Sequence, residues 1–249
     1  MSSELIVQGA LVSLVVGLLI GWSGIAGFLL PIWLTSVARL EVRSALCVSF
    51  LCFLVSGILG TETYRKQGAL EIKSSLPLGA GSLLGATIGV ALNARIATAT
   101  VAVILYVVVL ASGIGILLRC FFEKEQAQGS RHPSSLALGL FGLVTAAICA
   151  LSGAGGPILV MPLLVVMGYG TRNAVAVSLF DSICIALASL VGYAIISDMH
   201  GLLPLAFTMA ATHAIGVTAG ALSASRIPQK GLKIAVGISS ILIAIWRLF

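Results

Sequence analysis

Two glycine-rich breaks interrupt otherwise apolar sequence: Ser23-Gly24-Ile25-Ala26-Gly27 and Ser152-Gly153-Ala154-Gly155-Gly156-Pro157. Glycine releases the backbone from helical geometry, and proline suits the first turn of a helix, where the N–H it lacks has no intrahelical partner to lose. A helix that starts near Pro157 inside a membrane aims unpaired N–H groups and a partial positive charge at its surroundings, which is chemistry suited to an anion. Ser23, Gly24 and Gly27 of the first break, with Ser152, Gly153, Gly155, Gly156 and Pro157 of the second, are therefore candidate substrate-binding residues. Glycines that merely permit close helix packing are the competing reading; the duplication of the break favours a site.

Four further positions form two matched pairs. Arg43 and Arg172 each begin an apolar run and are candidates for attracting or gating anions, against the plainer role of anchoring helices at the membrane surface. Ser49 and Ser178 lie almost two turns deeper, where a hydroxyl can donate to an oxyanion or simply bond back to its own helix. Asp181 is the one acid well inside an apolar span, and His213 is the one other ionisable residue of comparable depth. A carboxylate in lipid is costly enough to need a partner or a proton. The two are candidates for proton coupling, or else form a neutral hydrogen-bonded pair that orders the core.

The elements that must position these groups are repeated. Arg43-Ser-Ala-Leu-Cys-Val-Ser49 aligns with Arg172-Asn-Ala-Val-Ala-Val-Ser178 at an offset of 129, four of seven residues being identical. Gly85-Ala-Thr-Ile-Gly89 aligns with Gly216-Val-Thr-Ala-Gly220 at an offset of 131, and Arg95-Ile96 follows as Arg226-Ile227 does. At Asp181 and His213 the matching residues are Cys52 and Ser82, which do not ionise in a comparable way. The chain divides into a first repeat over 1–119, a connecting loop over 120–135 and a second repeat over 136–249.

With 59% hydrophobic and only 9% charged residues, and a mean hydropathy of +1.16, the chain reads as an integral membrane protein. Its apolar runs are too long and continuous for barrel strands, so the expected fold is all-α. Membrane-length helices are predicted over 5–22, 45–62, 75–93, 98–119, 134–151, 174–196, 201–223 and 231–248. Two shorter stretches, 28–38 and 157–168, follow the breaks and read as half-helices or re-entrant hairpins near the membrane midplane. If these cross, the Lys and Arg residues divide ten to four between the two sides; if they do not, seven to seven. Only the first division is biased, which favours five crossings per repeat, inverted repeats and both termini outside.

The net charge of +6 lies in short loops rather than on one patch, so nucleic acid is not an expected partner; the bilayer and a small anion are. The five cysteines are odd in number and show no Cys-x-x-Cys spacing, so neither a disulfide frame nor a metal or cofactor site is expected. The run at 5–20 has no basic residue before it and reads as a first membrane helix rather than a cleaved leader.

The breaks with their following prolines, Gly24-Ile-Ala-Gly-Phe-Leu-Leu-Pro31 and Gly153-Ala-Gly-Gly-Pro-Ile-Leu-Val-Met-Pro162, resemble the TauE/SafE family. So do the Arg-x-Ala-x-x-Val-Ser segments, and Gly68 and Gly201 leading to the Gly-x-x-x-Gly runs. The resemblance covers both repeats and implies a permease of the bacterial plasma membrane. It implies transport of sulfur-containing anions such as sulfite or organosulfonates, driven by the proton-motive force. The first break carries Ile25 and Ala26 where the family has a fuller glycine run, which points to the second break as the stronger site. A passive anion channel is the alternative. An enzyme is not expected, since no nucleophile–base pair or metal-ligand cluster stands in the sequence.

Overall fold

The computed structural model describes residues 3–24, 26–70, 72–122, 134–226 and 229–248. Among these there is no strand, and the α-helices in chain order are α1 (Ser3–Ser23), α2 (Leu29–Ser36), α3 (Val42–Lys66), α4 (Ile72–Arg95) and α5 (Thr98–Phe122), then α6 (Ser135–Ser152), α7 (Gly156–Val166), α8 (Thr171–Ile196), α9 (Leu203–Ser223) and α10 (Gln229–Leu248). Lipid cannot satisfy backbone N–H and C=O groups, so long apolar segments pair them internally as helices. Seven helices of the described residues, α1, α3, α4, α5, α6, α8 and α9, contain a span long and apolar enough to cross a bilayer. The protein is therefore an all-α, multi-pass integral membrane protein. The eighth expected span coincides with α10, which is twenty residues long and more amphipathic than the others. The short stretches are α2, preceded by a 3-10 turn at Ala26–Phe28, and α7. The connecting loop lies almost wholly outside the described residues.

Helix pairing follows the repeated sequence. α1 packs along α9, α4 along α6, α3 against α8 and α5 against α10. Exchanging the first five helices for the last five turns α1–α9 into α6–α4 and leaves the other two pairs unchanged. The Tyr64 hydroxyl donates to the Gly21 carbonyl (3.0 Å) as Tyr193 does to Ala150 (2.7 Å), each across 43 residues. Likewise Ser44 Oγ donates to the Asp198 carbonyl (2.9 Å) and Asn173 Nδ2 to that of Ala69 (3.1 Å).

Directions can be read from the same contacts. Ser13 Oγ donates to the Met209 carbonyl (2.9 Å) and Trp22 Nε1 to Ser223 Oγ (2.8 Å), so α1 and α9 run parallel. Phe50 stacks on Tyr193 while Gly57 and Gly60 face Leu179, so α3 and α8 run antiparallel. These two are the central helices, 61% of each span being buried against 33–50% of the others. Outward faces carry large exposed apolar side chains, such as Val7, Leu11 and Val15 on α1 and Leu84 and Ile88 on α4, in keeping with a lipid surround.

Candidate functional site

α1 and α6 end alike. Gly24 and Gly153 adopt left-handed conformations (φ 72° and 75°) and donate to the carbonyls of Ile20 (2.7 Å) and Cys149 (2.8 Å), closing each helix. Each break then lies against the opposite half. A Cβ built on Gly24 would stand 3.4 Å from Val175 and 3.7 Å from Ser178 Oγ, whereas one built on Gly153 would run into Leu46, the residue matching Val175. Gly155, also left-handed (φ 81°), is the N-cap of α7, with Pro157 in its first turn.

The two breaks share one small cavity of about 10 Å³. Gly24 and Gly27 line it from the first, Ala154 and Gly155 from the second, together with the apolar side chains of Ile20, Phe53 and Ile158 and with Ser56 of α3 and Ser182 of α8. Such a space holds about one water. A larger cavity of about 220 Å³ opens between α2, the start of α3 and α5, past Thr35, Ser36 and Tyr106, and ends on Ser152 at the second break.

The candidate serines are committed to their own helices. Ser49 Oγ donates to Ala45 (2.8 Å), Ser178 to Val175 (2.9 Å), Ser23 to Leu19 (2.8 Å) and Ser152 to Ile148 (2.8 Å); Ser152 also accepts from the Ala154 N–H (3.3 Å). Their oxygens retain accepting capacity, but donation to an anion requires these bonds to be exchanged. Arg43 donates to the carbonyls of Asn93 (3.3 Å) and Ala94 (3.4 Å) at the end of α4, a capping position that suits a cation. Arg172 donates to Gln67 Oε1 just beyond the end of α3. The arginines thus mark opposite ends of α3, which at 25 residues is about 36 Å long.

Asp181 and His213 are both fully buried. No hydrogen bond joins them. Neither Asp181 oxygen meets hydrogen-bond geometry, although the Ser82 hydroxyl of α4 is beside it. His213 Nδ1 lies 2.9 Å from the Ser13 carbonyl on α1, and its Nε2 is without a partner. The reading of the two as one hydrogen-bonded pair is corrected by this geometry: α8 packs on α4, α9 on α1, and the symmetric pairing separates the groups. Ser82, beside Asp181, is the position that matches His213; exchanging the halves turns the α8–α4 interface of Asp181 into α3–α9, a different interface from the α9–α1 contact His213 makes through Ser13.

Phe53, Ser56 and Ser182 escaped the sequence reading because they sit in apolar helices with no motif around them. Tyr64 and Tyr193 could have been found, since they are identical residues at the 129-residue offset. Among the described residues, Cys47, Cys52, Cys149 and Cys184 are free thiols, and no group of His, Cys, Asp and Glu could hold a metal.

Membrane-length helices packed around two mutually facing backbone breaks define a multi-pass membrane protein with a small cavity between the breaks. The chain belongs to the sulfite exporter TauE/SafE family, which it matches over residues 7–247, and it is accordingly a membrane transporter rather than an enzyme. A relative from Bacillus subtilis (strain 168), the probable membrane transporter protein YdhB, is 23% identical over 188 residues, covering 74% of this chain and 76% of the relative. That kinship agrees with a plasma-membrane location. No solved structure matches the chain.

Proposed function

We propose that the protein is a secondary transporter of small sulfur-containing anions, sulfite or organosulfonates, driven by the proton-motive force. The observation that carries this reading is the meeting of the two breaks at one cavity: backbone from both halves converges there, and α7 starts at it with its unpaired N–H groups. The family points to sulfur anions, and the helix start to anions in general. We read the halves as inverted repeats, which the opposite directions of the matching helices α3 and α8 support, and such repeats bind substrate at their interface. Arg43 and Arg172, at opposite ends of α3, are read as the anion-attracting residues of opposite mouths. Asp181 is read as the coupling acid, because it is buried among apolar helices with no ion-pair partner among the described residues.

The test is flux of a panel of sulfur anions in proteoliposomes with an imposed proton gradient. Concentration of one of them against its own gradient, abolished by a protonophore, is the expected result. Flux that only dissipates a gradient identifies a passive channel instead, and no flux of any sulfur anion refutes the substrate assignment.

A further inference from the structure

The wall of the shared cavity is not symmetric. Phe53 lines it from α3, and the matching position on α8 is Ser182, which lines it too. The Phe53 ring is 1% exposed, and its tip is wedged between the breaks. A Cβ built on Gly27 would stand 3.1 Å from Cε1 and 3.3 Å from Cζ, and one built on Gly155 would stand 3.4 Å from both Cε2 and Cζ. One ring edge therefore faces each break; at Gly27 a Cβ would crowd the ring, while at Gly155 it would just reach ordinary contact. Behind the ring, Phe50 packs edge-on (centroids 5.6 Å apart, 87°) and itself stacks on Tyr193 (5.7 Å, 8°). The Tyr193 hydroxyl is held by the Ala150 carbonyl, two residues before Ser152. The wedge is thus braced by a row of rings that ends on the helix leading into the second break.

We propose that Phe53 is the residue that sets the size of the anion this site accepts: its ring fills the gap between the breaks and must withdraw before an anion enters. This rests on the reading of the breaks as the anion site. A cavity of about 10 Å³ admits about one water and no oxyanion, so the occupied site needs a different placement of the ring. A change of χ1 or a shift of α3 supplies it. The ring also suits its neighbour electrostatically, because the edge directed at the gap is the electropositive part of an aromatic quadrupole. A withdrawn ring that still bounds the gap favours compact anions over bulky ones.

The experiment measures kcat/KM for sulfite, methanesulfonate and benzenesulfonate in proteoliposomes containing wild type, Phe53→Ala, Phe53→Leu or Phe53→Trp. Phe53→Ala is expected to raise the benzenesulfonate-to-sulfite ratio roughly tenfold or more, the scale of discrimination that pocket size supplies. Phe53→Trp is expected to lower benzenesulfonate and methanesulfonate flux before that of sulfite. Phe53→Leu, which removes the ring but keeps an apolar side chain, carries the same expectation at smaller size if the alanine variant is not recovered as monodisperse protein. Flux by Phe53→Ala or Phe53→Leu with the wild-type ratio overturns the proposal while leaving the anion site intact. Absence of flux of all three anions in wild type overturns the site itself, and the wedge with it.

Discussion

Gly216→Ala tests whether the paired helices are in backbone contact. A Cβ at Gly216 would stand 2.9 Å from the Leu18 amide nitrogen and 3.1 Å from the Leu14 carbonyl carbon, with the Leu14 oxygen closer still. Ordinary van der Waals contact begins at 3.4 Å, so α1 and α9 must separate by at least about 0.5 Å at that level. All three atoms are backbone, so no side chain can swing aside. Small residues at such crossings supply the close packing that replaces hydrophobic driving force in lipid. Overpacking a tight contact costs about 1–3 kcal/mol. Taking about 2 kcal/mol, a chain of this size should lose about 4–8 °C in apparent melting temperature. The matching variant, Gly85→Ala, meets the Leu143 backbone in the same way and should fall comparably. Gly115→Ala is the control: nothing lies within 4 Å of its Cβ, so it should melt at or above wild type. The assay is monodispersity on size exclusion after graded heating in detergent. If Gly216→Ala melts together with Gly115→Ala, α1 and α9 are not in backbone contact.

At the breaks, Gly155→Leu and Gly156→Leu should insert normally yet abolish anion exchange. At Gly155 the cause is both the left-handed backbone and the adjacent ring, and normal exchange by both variants would remove the second break from the site. For topology, single cysteines at 128 and 229 in a cysteine-free background should be labelled from the cytoplasm and one at 40 from outside; labelling of 40 and 128 from the same side would sink the inverted arrangement. Asp181→Asn should lose proton-driven accumulation and keep anion exchange, since the amide preserves shape and hydrogen bonding but cannot titrate; continued accumulation against a gradient makes the carboxyl structural. His213→Gln, whose Nδ1 contact is with the Ser13 carbonyl and not with Asp181, should affect coupling less than Asp181→Asn; an equal loss from both would restore a functional link between them.

The spans were legible because the bilayer imposes a length and an apolar composition on anything that crosses it, and these properties survive in sequence as long uninterrupted runs. The breaks were legible because they occur twice. What remained hidden depends on which helices become neighbours. Asp181 and His213 invite pairing in a sequence where no other buried residue ionises at that depth, but pairing needs α8 and α9 to turn those faces toward each other. Gly216 and Gly220 instead draw α9 onto α1, and Gly81, Gly85 and Gly89 draw α4 onto α6. The serines at both breaks were visible as polar groups, whereas their bonds to the preceding turn follow from local helix geometry. Phe53 looked like one more apolar residue, and only the approach of Gly27 and Gly155 from separate halves gives it a special place.

The departures from the repeat bear on the resting balance between the two access states. On the inverted reading, a protein with identical halves would have states open to either side that are related by a two-fold rotation and equal in energy. Each departure lifts that degeneracy at one level of the pathway: Phe53 against Ser182 at the cavity, Asp181 against Cys52 and Ser82 against His213 around it. Arg39 against Gly168 does so where α2 and α7 end, since Arg39 holds a left-handed backbone (φ 53°) that Gly168 adopts without a side-chain clash. Strain of this kind costs about 1–3 kcal/mol per residue, and about 1.4 kcal/mol changes a population tenfold. One non-glycine residue in that conformation is therefore enough to favour one access state over the other several-fold. Arg39→Gly removes the difference at that level, so it should move the ratio of the apparent anion affinities at the two membrane faces without changing which anions are carried. A variant that alters anion preference and leaves the ratio of affinities at the two faces untouched would place Arg39 in recognition and not in the bias between states.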